Sequence, residues 1–151
     1  MLYSDLNMYR VVVTDIKPLI WWLFVQAHPN LLKKASTVVS VLMNGQPKGL
    51  QCNFGSSLCK LCISRVRESP VHIILECDAL QDVREPLSIA MCQYMPLAMR
   101  QCYIDMPKDE KIRFMLSGMS REFFDIMKCV ASFIYAVYKK RKELYDDLEL
   151  M

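Results

Sequence analysis

Three cysteines and one histidine are the residues of this chain whose types and spacing can do chemistry. Cys59, Cys62, His72 and Cys77 follow the pattern Cys-x2-Cys-x9-His-x4-Cys. Thiolate sulfur and imidazole nitrogen are preferred ligands of Zn²⁺, and structural zinc sites hold the ion tetrahedrally with four of them. Cys-x2-Cys is the usual first half of such a site, because a tight turn brings both thiolates onto one metal. The spacing therefore predicts one Zn²⁺ ion with these four side chains as its ligands.

Two alternatives remain open for the cysteines and histidines. The four side chains can instead be free thiols and a hydrogen-bonded histidine in a cysteine-rich core, since free cysteine is among the most buried residue types; the spacing favours the metal. Four further cysteines have no partner at ligand spacing and are expected in the core: Cys52, Cys92, Cys102 and Cys129. Of these, only Cys52 could substitute as a ligand. His28 lies beside a proline at a helix end, which is typical of a capping or surface histidine.

The step from His72 to Cys77 constrains the local structure. On a regular α-helix, residues five apart point about 140° away from each other, so both cannot reach one metal from the middle of a helix. We therefore expect a single turn over residues 71–75 that ends before Cys77. Its apolar triplet, residues 73–75, would face the core, and Asp78 would cap the following helix. With four protein ligands the site is closed, which predicts a structural and not a catalytic metal.

Composition predicts the elements that must position this site. The chain has 151 residues, 53% of them apolar and only four of them glycine, which favours one packed, mostly helical domain. We predict a mostly α fold of about five helices, with an irregular zinc knuckle between helix 2 and helix 3. The predicted segments of this single domain, residues 1–151, are a helical pair at 8–43, a loop at 44–58, the knuckle at 59–77 and C-terminal helices at 78–149.

The last predicted helix runs from about Ser120 to Glu149. Its apolar positions recur at steps of three and four residues, and Arg141 interrupts them. Such a stripe can pair with a partner helix or with a second copy of the chain, or it can cover the chain's own core. The sequence leaves these alternatives open. The stripe consists of Phe123, Met127, Val130, Ile134, Val137 and Leu144.

Basic side chains predict a second property, because the net charge is +3 and the cations are clustered. Lysine and arginine clusters can neutralise phosphates of RNA or DNA. The alternative is a solvated helix end, where cations are favourable near the C-terminus and pair with nearby acidic side chains. The candidate nucleic-acid-binding residues are Lys60, Arg65 and Arg67 around the cysteine turn, and Lys139, Lys140, Arg141 and Lys142 on the last helix.

Several classes of protein are disfavoured. The N-terminus has no charged region followed by an apolar run, so we expect an intracellular, reducing compartment, whether nucleus or cytoplasm. The longest apolar stretches, residues 19–25 and 130–138, are shorter than the ~20 residues of a membrane helix, so no membrane partner is expected. We see no nucleotide-binding glycine loop, carboxylate cluster or catalytic triad. The sequence therefore predicts neither an enzyme nor a small-molecule substrate.

Residues 59–84 resemble the C-terminal zinc-binding (CCHC-like) region of non-LTR (LINE-type) retrotransposon reverse transcriptases. The resemblance implies that the chain is a tail module of such a transposable element, that the four ligands bind zinc, and that the module assists RNA or DNA binding. The catalytic aspartates of the polymerase and the endonuclease have no counterpart here, although the parent polyprotein would be an RNA-directed DNA polymerase. The resemblance rests on Cys59, Cys62, Glu68, His72, the triplet 73–75, Cys77 and Arg84.

Overall fold

Six α-helices account for most of the residues that the structure, a computed structural model, describes: residues 18–47, 49–51 and 58–150. In that part of the chain no strand is present beyond an isolated antiparallel bridge between Leu58 and Arg67. The mostly α prediction is therefore confirmed. The helices are α1 (Pro18–Ala27), α2 (Leu32–Asn44), α3 (Gln81–Tyr94), α4 (Leu97–Asp105), α5 (Lys108–Ser117) and α6 (Phe124–Glu149).

The long helix α6 is the centre of the fold, and α2 and α3 both pack against it. The middle of its predicted apolar stripe is fully buried in the chain's own core: Met127, Val130, Ile134 and Val137. This part of the stripe is therefore used within the chain. Arg141 does not interrupt the buried face as expected, because it is itself buried.

Short signals in the sequence set several helix ends. α2 ends where predicted, at Gly45, which adopts a positive φ of 72° and donates its N–H to the carbonyl of Val41 at 2.8 Å. α1 begins at Pro18, and the earlier part of the predicted helical pair lies outside the described residues. None of the described helices is both long and apolar enough to span a bilayer.

One expectation about an individual element was wrong. Asp78 makes no capping hydrogen bond; it opens a 3₁₀ turn, Asp78–Leu80, and α3 begins only at Gln81. The helix α4 lies within the segment 78–149 that was predicted to hold the C-terminal helices. His28 is half-buried at the N-cap position of a 3₁₀ turn, without a side-chain cap hydrogen bond, and its ring packs against Phe24 and Phe124.

The segment between α2 and α3 carries the predicted ligands. Part of its first stretch, residues 48 and 52–57, lies outside the described residues, and Cys52 lies there too. The described remainder is a short hairpin over residues 58–67, followed by one wide helical turn, His72–Glu76, and the 3₁₀ turn. Of the cysteines expected in the core, Cys92 and Cys129 are half-buried, whereas Cys102 is exposed.

Candidate metal centre

The four predicted ligand side chains converge on one point. Their ligand atoms all lie within 4.8 Å of one another. The Sγ atoms of Cys59 and Cys77 are 3.8 Å apart, and Sγ of Cys62 is 3.5 Å from Nε2 of His72. Bonded disulfide sulfurs are about 2.05 Å apart, so the three cysteines are separate thiols. The cluster can therefore hold a metal ion.

The hairpin 58–67 positions the first two ligands. Its ends are joined by the bridge between Leu58 and Arg67, and Cys59 donates its N–H to the carbonyl of Val66 at 2.8 Å. The Cys-x2-Cys sequence, residues 59–62, leads from this bridge into the loop that ends in a turn at residues 63–64. The hairpin thus places Cys59 in the buried base and Cys62 nearer the tip, where it is half-buried.

Backbone groups within the hairpin act on the two thiols. Those of Leu61 and Cys62 act to lower the pKa of Cys59, where burial outweighs them, and those of Ser64 and Arg65 contribute to the lowered pKa of Cys62. Arg65 adopts a left-handed conformation with φ of 48°, which is uncommon for a residue with a side chain. The turn therefore favours a thiolate at Cys62, whereas burial disfavours one at Cys59.

The other two ligands are positioned by the wide turn His72–Glu76. Cys77 donates its N–H to the carbonyl of His72 at 2.7 Å, a hydrogen bond between residues five apart that defines a π-helical turn. This widened turn places residue 77 nearly above residue 72, whereas a regular α-helix would point them apart. The prediction of a single turn that ends before Cys77 is confirmed. Ile73 and Ile74 are buried as expected.

Arg84 of α3 fastens the π-helical turn to the helical core. Its Nε donates to the carbonyl of Ile74 at 2.8 Å, and its Nη2 donates to the carbonyls of Cys77 at 2.7 Å and Ile73 at 3.3 Å. The carbonyls at the end of a helical turn have no partner within the turn, and a buried carbonyl without one is costly. Burial lowers the pKa of Arg84, although the side chain stays charged because the ordinary pKa of arginine lies far above neutral pH.

The histidine ring has a distinct contact on each nitrogen. Nε2 of His72 faces Cys62, whereas Nδ1 lies 3.6 Å from Oε1 of Glu76, a distance longer than a hydrogen bond. Glu76 in turn accepts a 2.9 Å hydrogen bond from Lys108, and this bond is the main cause of its lowered pKa. A carboxylate beside the second nitrogen is the usual way in which proteins orient a metal-binding histidine.

The thiol environments favour different protonation states. Burial raises the pKa of Cys77 to about 12, and burial also raises the pKa of Cys59. Burial acts in the same direction on Cys62, but the hydrogen bonds from Ser64, Cys59 and Arg65 outweigh it and lower its pKa. Two buried thiols that resist ionisation need a nearby cation to become thiolates, and a metal ion at the centre of the cluster supplies that charge.

A buried polar cluster ties the hairpin to α6. Arg141 and Tyr145 both donate hydrogen bonds to the carboxylate of Glu68, the tyrosine at 2.7 Å, and the Tyr145 hydroxyl accepts one from the Lys60 backbone at 3.1 Å. Burial and the neighbouring carboxylate raise the pKa of Tyr145, which keeps its hydroxyl protonated as a donor. Sequence reasoning missed the supporting roles of Glu68, Arg84, Arg141 and Tyr145. Two signals were available: Glu68 and Arg84 are among the residues that carry the resemblance, and Arg141 is a charged residue inside an apolar stripe.

The candidate nucleic-acid-binding residues fall into two separate groups. Lys60, Arg65 and Arg67 are exposed on the hairpin, close to the ligands. On α6, Lys139 is exposed, Lys140 lies 4.0 Å from Glu143, and Lys142 lies 2.9 Å from Asp146. Arg141 is buried against Glu68, so we remove it from the set of residues that can contact a phosphate.

Comparisons with known proteins identify no relative of this chain. No protein-family model, no curated protein and no solved structure matched the chain. These comparisons therefore do not link the chain to retrotransposon reverse transcriptases. Of the residues that carry that expectation, Arg84 is buried and Glu68 is half-buried, and both are hydrogen-bonded. What the structure establishes is a Cys₃His cluster able to hold a metal ion in a mostly α fold.

Proposed function

We propose that this chain is a non-catalytic, structural zinc-binding module that assists the binding of RNA or DNA, as the resemblance to a reverse-transcriptase tail implies. The observation that carries the zinc assignment is the spacing of the ligand atoms. Zn–S bonds of about 2.3 Å and Zn–N bonds of about 2.0–2.1 Å at tetrahedral angles require an S···S distance of about 3.8 Å and an S···N distance of about 3.6 Å. Two of the six distances between ligand atoms, 3.8 Å and 3.5 Å, agree with these values, and all six are within 4.8 Å.

The ligand set supports zinc over other common ions. Three thiolates and one imidazole are soft and borderline donors, whereas Mg²⁺ and Ca²⁺ prefer oxygen. Four protein ligands leave no open position for a substrate, and Cys59, His72 and Cys77 are all buried. Both facts support a structural ion. In zinc-finger peptides such an ion contributes on the order of 10 kcal/mol of binding free energy.

The nucleic-acid part of the proposal rests on charge and on the resemblance. Lys60, Arg65 and Arg67 surround the site with exposed positive charge, and Lys139 adds a further exposed cation on α6. Such side chains bind phosphates without reading sequence, and the affinity then falls with salt.

Metal analysis tests the proposal. Protein purified without chelators should contain close to one zinc per chain, and a chelator should lower its melting temperature. Cys59→Ser should abolish stoichiometric zinc, whereas the matched control Cys102→Ser should not, because Cys102 is an exposed thiol outside the cluster. Wild-type protein that retains no zinc, even after refolding with the ion, would contradict the assignment.

A further inference from the structure

Ile63, at the tip of the hairpin 58–67, is the most exposed large hydrophobic residue among those that the structure describes. Its exposed fraction is 95%, compared with 75% for Leu97 on α4. Leu58 and Val66 on the same hairpin are also exposed. Three exposed apolar side chains therefore lie on one short hairpin, and grouped apolar exposure, unlike a single exposed residue, marks interaction sites.

The charges around Ile63 restrict what that molecule can be. The hairpin contains Lys60, Arg65 and Arg67 and no acidic residue, so its side chains carry a formal charge of +3 apart from the cysteines. Glu68, the first acidic residue after it, is half-buried and paired with Arg141. When the proposed Zn²⁺ is bound, the ion (+2) and its three thiolates (−3) together contribute a formal charge of only −1. The tip is therefore an apolar side chain surrounded by net positive charge, which complements a polyanion.

The backbone on both sides of the tip has a defined geometry. Leu58 and Arg67 form an antiparallel bridge, Cys59 donates its N–H to the carbonyl of Val66 at 2.8 Å, and Arg65 adopts a φ of 48°. Such conformations persist only where the surroundings impose them, and they are found preferentially at binding sites. A side chain that is already ordered loses little conformational entropy on binding, so a rigid tip favours affinity.

We infer that the hairpin 58–67 binds nucleic acid by inserting the Ile63 side chain between neighbouring bases while Lys60, Arg65 and Arg67 contact the flanking phosphates. This inference rests on the proposed function, because the ion fixes the turn. Isoleucine is among the apolar side chains that proteins use as wedges at base steps. The cations position the strand, and the wedge supplies a contact that phosphate binding alone does not.

Binding to an oligonucleotide that contains 2-aminopurine tests the inference, because the fluorescence of this base rises when it is unstacked. Zinc-loaded wild-type protein should bind and raise the fluorescence. Ile63→Ser should abolish the rise and weaken binding about tenfold, since burying an isoleucine is worth at least that factor. Ile63→Met, which keeps an apolar wedge, should retain both. The matched control Leu97→Ser removes an exposed leucine on α4 and should change neither.

The salt dependence separates the wedge from the cations. Ile63→Ser should leave the slope of log affinity against log salt unchanged, whereas Arg65→Gln and Arg67→Gln should each reduce it by about 1. Full binding and a full fluorescence rise with Ile63→Ser would overturn the inference, as would zinc-loaded wild type that binds no oligonucleotide. Zinc content is measured on the same samples, so loss of the metal assignment is recognised independently of the wedge.

Discussion

Replacing Glu68 by glutamine should be among the most destabilising single changes that leave every ligand intact. The Glu68 carboxylate accepts hydrogen bonds from Arg141 and Tyr145 of α6, and only 14% of its side chain and 10% of that of Arg141 are exposed. The substitution preserves shape but removes one charge. It therefore leaves the guanidinium of Arg141 buried without its counter-charge.

The magnitude follows from that burial. Removing one partner of a buried ion pair typically costs about 3–5 kcal/mol, because the remaining charge is desolvated and uncompensated. For a chain of this size each kcal/mol lowers the melting temperature by about 2–4 °C, so we expect a decrease of about 6–20 °C. By contrast, Lys142→Met removes the pair with Asp146, whose side chains are 34% and 51% exposed, and should cost under about 1 kcal/mol.

Urea denaturation of the metal-loaded proteins is the assay. Wild type, Glu68→Gln, Lys142→Met and the double variant Glu68→Gln/Arg141→Met are compared at equal zinc content. The double variant removes both charges and should recover much of the lost free energy of unfolding, since replacing a whole buried pair by apolar groups is often neutral. The coupling energy from this double-mutant cycle gives the contribution of the interaction between Glu68 and Arg141, apart from the effect of each residue alone.

Two results would refute this reasoning. A loss of less than about 1 kcal/mol for Glu68→Gln, equal to that of Lys142→Met, would mean that the pair is solvated in the folded protein. Additive losses in the double variant would mean that Glu68 and Arg141 do not interact. Either result would also remove the proposed anchor between the hairpin and α6.

The remaining predictions concern the support of the π-helical turn and one tight packing contact. Arg84→Lys should weaken zinc affinity about tenfold in a chelator competition, because a lysine cannot hydrogen-bond to all three carbonyls in the same way. The control is Arg100→Lys, which should leave zinc affinity unchanged, because the Arg100 guanidinium binds the carbonyls of Cys92 and Met95 instead. Gly118→Ala should cost about 2 kcal/mol in thermal denaturation, since φ is 79° and the new Cβ would lie 2.7 Å from Ile20. Gly45→Ala, at φ of 72° with no atom within 4 Å, should cost only about 1 kcal/mol. Equal zinc affinities for the two arginine variants, or equal losses for the two glycine variants, would contradict these arguments.

The grouping of the ligands could be predicted because their chemistry is encoded at short range. A Cys-x2-Cys turn and a five-residue step from His72 to Cys77 each restrict the local backbone, whatever the rest of the chain does. The end of α2 at Gly45 could also be predicted from local sequence, because glycine readily adopts the positive φ at which many helices end. Such features need no knowledge of tertiary contacts, so one sequence is sufficient to predict them.

What sequence reasoning missed depends on distant partners or on competition between local signals. Arg141 was interpreted as an interruption of an apolar stripe because its partner, Glu68, lies 73 residues earlier in the chain. Asp78 resembled a cap, but a 3₁₀ turn forms there, in which Leu80 donates its N–H to the carbonyl of Cys77 at 3.1 Å, and α3 begins only at Gln81. The separate helix Leu97–Asp105 has no bounds in the prediction, because its apolar residues have no clear helical period between two prolines.

The hydrogen bonds at Glu68 and at Arg84 indicate what a metal would add to a chain that already has a large core. Glu68 ties the hairpin with Cys59 and Cys62 to α6, and Arg84 ties the turn with His72 and Cys77 to α3. Since α3 packs on α6, each half of the ligand set is attached to a core that can form by its own apolar burial. The proposed ion would then join two segments that are already close, so less chain entropy would be lost on binding. Its binding free energy would act chiefly on the hairpin, which carries Ile63 at its tip.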